Sequence, residues 1–339
     1  MSPEVVSLLR VLAAVGLMLM NGVVLIYMLR KVLGRLHQRL GPMHVGPQGL
    51  FQTPMDVVKL FTKEDITPAN VDKALYFIAP AVVFTPSLMA YAAIPFSETW
   101  KITDLDTGLL YTFTVLSLVS ISLLMAGWAS ANKWSLLGGM RAVGQQIAYE
   151  VPLLLSVIPI VMYTGTLNMG EIVSAQSGTW LEVIPRWFIT NPLFWPTFVL
   201  FFIAMLIKVN QTPFDLSEAE SELVTGFATE YSSMKFGLIF LSEFSNSFVA
   251  SAIAVTLFFG GWSLPWVPDE YLAPIAPLVF MIKVYIGVFI MMWIRGTLPR
   301  VRIDVLMQLG WKVLIPATLG WIMICGVLMK LFDLGRPVS

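Results

Sequence analysis

The chain has 339 residues, 57% of them hydrophobic and 12% charged, with a mean hydropathy of +0.78 and a formal net charge of zero. Soluble domains carry about one-quarter charged residues, so water is excluded as the main solvent, and a zero balance makes no electrostatic case for nucleic acid. The single cysteine, Cys325, excludes an internal disulfide, a structural zinc or an iron–sulfur cluster held by this chain.

A hydrocarbon core about 30 Å thick needs about 20 apolar residues per helix. Such stretches recur near 5–29, 74–95, 108–127, 136–164, 193–209, 232–260, 272–294 and 312–331. They predict an all-α membrane protein of about eight transmembrane helices, a single integral membrane domain over 1–339. No small-residue cleavage site follows the first run, which is therefore read as a retained helix. Placing the connection after it in the cytoplasm puts Arg30, Lys31, Arg35, Arg39, Lys59, Lys63, Lys133, Arg295, Arg300 and Arg302 on that side. Few basic residues remain opposite, chiefly Arg10, Lys101, Arg186, Lys330 and Arg336, as the positive-inside bias requires. The ordered cytoplasmic loops are then 30–73, 128–135, 210–231 and 295–311, with both termini on the non-cytoplasmic side of a cell (inner) membrane.

Between the first two spans, 48–61 (QGLFQTPMDVVKLF) is too short and polar to cross. Leu50, Phe51, Val57, Val58 and Phe61 give it one apolar face, which predicts an amphipathic helix in the interface. Trp128, Trp134, Trp180, Trp187, Trp262, Trp266 and Trp311 fall near predicted helix ends, where aromatic belts form.

Charged side chains inside a span are costly and usually face protein or water. Glu150 lies one turn after Gln146 in RAVGQQIAYEVPLLL, Glu243 precedes Asn246 and Ser247 by one turn, and Lys283 is central in the seventh span. Each is either a static polar lock between helices or a group that exchanges protons. The connection NQTPFDLSEAESELVTGFATEYSSMKF carries Glu218, Glu220 and Glu222; if helical from Asp215 or Ser217, Glu218 and Glu222 share a face with Glu220 turned away. Acidic runs are usually just solvated, but in a confined cavity such neighbours would raise one another's pKa. In GRLHQRLGPMHVGPQG, Gly41, Pro42, Gly46, Pro47 and Gly49 fix a rigid basic loop. His37 and His44 stand seven apart there without nearby carboxylates, which favours a loop hydrogen bond over a metal site. Arg295, Arg300 and Arg302 are either plain positive-inside charge or the lining of an anionic or quinone-facing pocket.

GRLHQRLGPMHVGPQGLFQ, KLFTKEDITPA, RAVGQQIAYEVPL, PFDLSEAESELVTGFATEYSSMKF and LPRVRIDVLMQLGWK, taken in order, resemble the NuoH-type membrane subunit of proton-pumping NADH:quinone oxidoreductase, respiratory complex I. The resemblance implies a subunit that shapes the quinone chamber and couples quinone reduction to proton translocation, without independent catalytic activity. It implies Glu218, Glu220 and Glu222 at the chamber, Glu150 and Glu243 as intramembrane carboxylates, and Asp56, Lys208 and Lys283 beside them in the coupling path. Arg30, Phe214, Asp215 and Arg300 are implied as chamber lining. The resemblance also implies that this chain binds no cofactor covalently and no metal, that quinone is the substrate, and that NADH, FMN and iron–sulfur clusters belong to partner subunits. The implied partners are hydrophilic subunits carrying the terminal iron–sulfur cluster, small and antiporter-like membrane subunits, and lipid. A related membrane oxidoreductase fed by ferredoxin or hydrogen remains an alternative, because the electron donor lies outside this chain. No Gly-rich dinucleotide fingerprint follows a strand.

Three positions depart from the family pattern. Leu29 precedes Arg30-Lys31 where an acid is usual, and Lys208 and Gln211 stand where an acid and an arginine are usual. Lys208 either favours ionised neighbours or snorkels to the interface as compensated drift.

Overall fold

The computed structural model describes residues 3–180, 184–218, 220–267 and 269–333, so Arg336 lies outside the described residues. Helix α1 (Pro3–Leu36) runs 34 residues, about 51 Å at 1.5 Å per residue, and so continues well past a 30 Å hydrocarbon core. Arg30, Lys31 and Arg35, expected in a loop, therefore lie on its last turns. A short 3-10 turn and α2 (Gln52–Thr62) form the expected amphipathic element, with Phe51, Val58 and Phe61 exposed along it.

The bundle continues with α3 (Lys73–Ala93), α4 (Gly108–Ala129) and α5 (Lys133–Thr164). Local chemistry sets these boundaries. The Asp72 carboxylate accepts from Leu75 N, the Asn132 side chain accepts from Trp134 N, and Gly165 ends α5 in the left-handed region at φ 74°. The connection after α5 holds the short α6 (Met169–Ser174) and a two-residue strand pair, β1 (Thr179–Trp180) with β2 (Ile184–Pro185).

Then come α7 (Trp195–Lys208), the four-residue α8 (Glu220–Leu223), α9 (Ser233–Phe258), α10 (Asp269–Thr297), α11 (Ile303–Gln308) and α12 (Ile315–Phe332). A π turn over Leu309–Leu314 joins the last two, where Gly310 lets the backbone approach Tyr149 and the Ala148 carbonyl. Among the described residues, seven helical stretches are long and apolar enough to cross a membrane. The eighth expected span differs: its apolar stretch is only Pro192–Lys208, opening with a 3-10 turn, and α7 itself has 14 residues. At about 21 Å it falls short of the hydrocarbon thickness.

Helix α9 is the central post, with 72% of its apolar stretch buried against 22–56% for the other six long helices. Its Phe248 and Phe258 and, from its neighbours, Phe201, Tyr91 and Phe280 have no exposed surface, Tyr91 stacking on Phe248 at 5.3 Å and Phe201 lying 5.4 Å from Phe258. A second core of Tyr76, Val83, Val119, Ala126, Phe227 and Ile239 sits at the end where α2 lies, the basic end of the bundle. A third, of Ala148, Tyr149, Ile207, Leu216 and Leu306, ties α5 to the segment after α7 and to α11.

Candidate functional site

The site is built on the connection 209–232 and on the face of α5 that holds it. Asn132, Ser135, Gly138, Arg141 and Gln145 recur every three or four residues, which stacks them along one side of a helix. Asn132 Nδ2 donates to Glu230 Oε1 at 2.7 Å, Ser135 Oγ to the Phe227 carbonyl at 2.9 Å, and Arg141 pairs with Glu222. Gln145 Nε2 faces the Ile207 carbonyl, Asn210 Oδ1 and the Phe214 carbonyl at 2.8–3.0 Å, while Gln146 Nε2 donates to the Lys208 carbonyl at 3.0 Å. Gly138 is small for a reason: a Cβ there would come 2.7 Å from Phe227 N. Gly226 is a second constraint, with φ 56° and room for a Cβ only 1.8 Å from the Ser217 carbonyl.

This template makes the connection a fixed object. Only Glu220–Leu223 is α-helical, so the expected helix from Asp215 or Ser217 does not form there. Glu218 and Glu222 consequently do different things. Glu218 lines an interior cavity, whereas Glu222 is half-exposed and pairs with Arg141. The Glu220 side chain lies outside the described residues.

The cavity, about 30 Å³, is a meeting point of polar groups from α5, α7, α9 and the acidic connection. Gln146, Lys208, Glu218, Glu243 and Asn246 all contribute to its wall, with Phe227 and Ile239 as apolar partners. Its volume admits one or two waters. Around it, Gln145 Oε1, Gln146 Oε1, Lys208 Nζ and Ser217 Oγ are buried without a hydrogen-bond partner among the described residues. Lys208 is 8% exposed and does not snorkel to the surface; Glu150, one turn past Gln146, is near enough for its charge to act on it.

Glu243 faces two ways. On the far side from the cavity, Arg295 stands 3.5 Å away and also donates to Gln211 Oε1 at 3.2 Å, while Gln211 Nε2 donates to Ser247 Oγ at 3.1 Å. Arg295, expected in a cytoplasmic loop, reaches this position because α10 continues to Thr297. Arg300 sits 3.6 Å from the buried Asp215 carboxylate, and Val301 N donates to the Pro213 carbonyl at 2.9 Å, so the 295–302 segment is stitched to the acidic connection. Phe214 is partly buried between two of the cores.

The remaining expected residues lie elsewhere. Arg30 and Asp56 form an ion pair between α1 and α2, with Lys59 3.8 Å from the same carboxylate. Lys283 is not brought to the cavity: its ammonium donates to the Phe259, Gly261 and Ser263 carbonyls at 2.8–2.9 Å and lies 4.3 Å from the Trp187 ring. That placement is a lock across the end of α9. Among the described residues, no group of three or more His, Cys, Asp or Glu side chains could hold a metal ion.

Sequence reasoning missed the α5 stripe and Arg141. The signal was present, as polar and small residues at helical spacing on an otherwise apolar span, but Glu150 drew attention to the adjacent face.

Residues 9–326 match the family model described as NADH dehydrogenase. Among curated relatives, the chain is 40% identical over 340 residues to an NADH-quinone oxidoreductase subunit of Rhodospirillum rubrum, covering 98% of this chain and 96% of that protein. It is 43% identical over 305 residues to the equivalent protein of Brevibacillus brevis, covering 90% and 88%, and 42% identical over 305 residues to that of Dehalococcoides mccartyi strain CBDB1, covering 90% and 82%. Two of the segments that carry the resemblance, RAVGQQIAYEVPL and PFDLSEAESELVTGFATEYSSMKF, supply Gln146, Glu218 and Phe227 to the cavity wall, and the chain belongs to the NADH dehydrogenase family.

Proposed function

We propose that this chain is a membrane subunit of a proton-translocating NADH:quinone oxidoreductase, in which the acidic connection and the 295–302 segment help to wall the quinone chamber and the cavity links that wall to the membrane interior. The observation that carries the reading is the convergence of Glu218, Lys208 and Glu243 on one small polar cavity, with Glu150 in electrostatic range of Lys208. NADH, FMN and iron–sulfur chemistry belong to partner subunits in this reading, and the basic end faces the cytoplasm with both termini opposite.

Reducing a quinone to a quinol takes two electrons and two protons, and electrons arriving ahead of protons leave negative charge on the headgroup. Arg300 beside Asp215 and Arg295 beside Glu243 would respond to such charge, Arg295 the more readily because it already divides its attraction between Glu243 and Gln211. A proton or a side chain moving at Glu218 then alters the field at Glu243 and Lys208 across the cavity. Coupling in this form needs no cofactor on the chain.

The test is Glu243→Gln and Glu218→Gln in the assembled complex, with assembly verified by co-purification of the other subunits. Each is expected to lower quinone reductase turnover at least about tenfold, the effect of losing roughly 1.4 kcal/mol of stabilisation, and proton translocation with it. Full turnover and full translocation in both variants would sink the proposal.

A further inference from the structure

A larger cavity lies at the opposite end of the bundle from the candidate site. It measures about 410 Å³ and is enclosed by the first turns of α1, the 94–107 connection and α10. Its walls are apolar, formed by residues such as Ala13, Leu17, Phe96 and Met281, and only two charged side chains line it, Arg10 and Lys101. Small alanines at 13 and 14 leave a trough in α1 that its neighbours do not fill.

The two cations are poorly neutralised. Arg10 lies two turns into α1 within the apolar run LLRVLAAVG and has no hydrogen bond or ion pair among the described residues. A guanidinium stays charged, so in a lipid-facing helix it needs an anion or water. Lys101 Nζ gives one donor to Asp104 at 2.9 Å and keeps the other two of its three. Its hydrogen bond to Asp104, together with that of Asn168 at 3.0 Å, holds the Asp104 carboxyl below the usual carboxylate range, so this anchor stays ionised and fixes Lys101 at the mouth. The groove's own lining holds two cations and no carboxylate, Asp104 reaching Lys101 from outside it and Glu98 facing the neighbouring pocket, so the mouth beside the apolar trough is positive. Trp100, largely exposed beside them, marks the depth of a headgroup region.

We propose that this groove seats one anionic phospholipid of the adjoining leaflet, its phosphate between Arg10 and Lys101 and one acyl chain along Ala13, Leu17, Phe96 and Met281. Free phosphate gains nothing from apolar walls, and a zwitterionic lipid brings a cation to a mouth that already has a positive excess. The seat is independent of quinone chemistry at the other end.

The experiment uses the full complex in phosphatidylcholine vesicles doped with phosphatidylglycerol carrying a photoreactive group on its acyl chain, with adducts mapped by peptide mass spectrometry. Adducts are expected on residues 9–17 and 277–281. Arg10→Gln should reduce them about fivefold and Arg10→Gln with Lys101→Gln by more than tenfold, near the increment of one surface cation per anionic lipid; Arg10→Lys should retain most of them. Ala13→Trp, which fills the trough and keeps both cations, should also abolish them. Retained NADH:quinone activity reports intact assembly in every variant. Equal labelling by photoreactive phosphatidylcholine, labelling unchanged in the double variant, or no labelling because a neighbouring subunit fills the groove would each overturn the proposal.

Discussion

Two intramembrane lysines show what a buried charge can be used for. Lys283 has three carbonyl partners within 2.9 Å and an aromatic face at 4.3 Å, so all its donors are engaged and its position is determined. Lys208 is more deeply buried, has no hydrogen-bond partner among the described residues, and stands on a cavity wall shared with two glutamates. Sequence position treats them alike, as single cations in apolar helices. Their surroundings make one a fastener and leave the other with no hydrogen bond, held by the apolar packing around it and by the field of Glu150.

The largest separation between them should come from Lys283→Met, which strands three part-buried carbonyls. Losing such a partner set costs about 3 kcal/mol or more, so the purified complex should lose thermal stability and this subunit should become protease-sensitive; an unchanged melting profile would remove the fastener role. Lys208→Met removes no hydrogen bond, and its expected cost to stability is below about 1 kcal/mol. Its signature belongs in turnover instead: Lys208→Glu should alter the pH profile of quinone reductase activity more than the KM for quinone. A superimposable profile would class Lys208 as drift. The smallest effect is expected for Arg141→Ala, whose pairing with Glu222 is partly exposed and contributes under about 1 kcal/mol; a large loss of stability there would mean that α8, not the rest of the α5 stripe, holds the connection in place.

The surface lysine Lys101 completes the series. Because Asp104 is held below the usual carboxylate range, whatever stability the pair adds is present above the ordinary carboxylate pKa of roughly 4 and is lost as pH falls through the lowered value. Asp104→Asn should flatten that acid-side loss only slightly, since the Asp104 carboxylate is half-exposed.

The long helices were legible in the sequence because lipid imposes a length and a composition on anything that crosses it. Their ends were less so. Hydropathy falls where a helix leaves the hydrocarbon, but hydrogen bonding does not stop there, which is why α1 carries Arg30 and Arg35 and α10 carries Arg295 as helical residues. The identity of the acidic connection as a site was legible from motif resemblance, while its shape was not: it depends on which α5 residues face Gln211–Ser232, a tertiary fact that local periodicity does not encode. The surroundings of Lys208 and Gln211 are tertiary facts as well: Gln211 sits against Arg295, where a guanidinium at 211 would meet like charge, and Lys208 stands on the cavity wall.

The brevity of α7 has an electrical consequence. Where a helix of about 21 Å ends inside the bundle and polar groups take over, the insulating layer is locally thinner and the membrane potential falls over a shorter path. Under the proposed function, charge displaced around Lys208 and Glu243 would cross a larger share of a field worth about 2.3 kcal/mol per elementary charge per 100 mV, so the same small movement would do more work there than in the middle of α4.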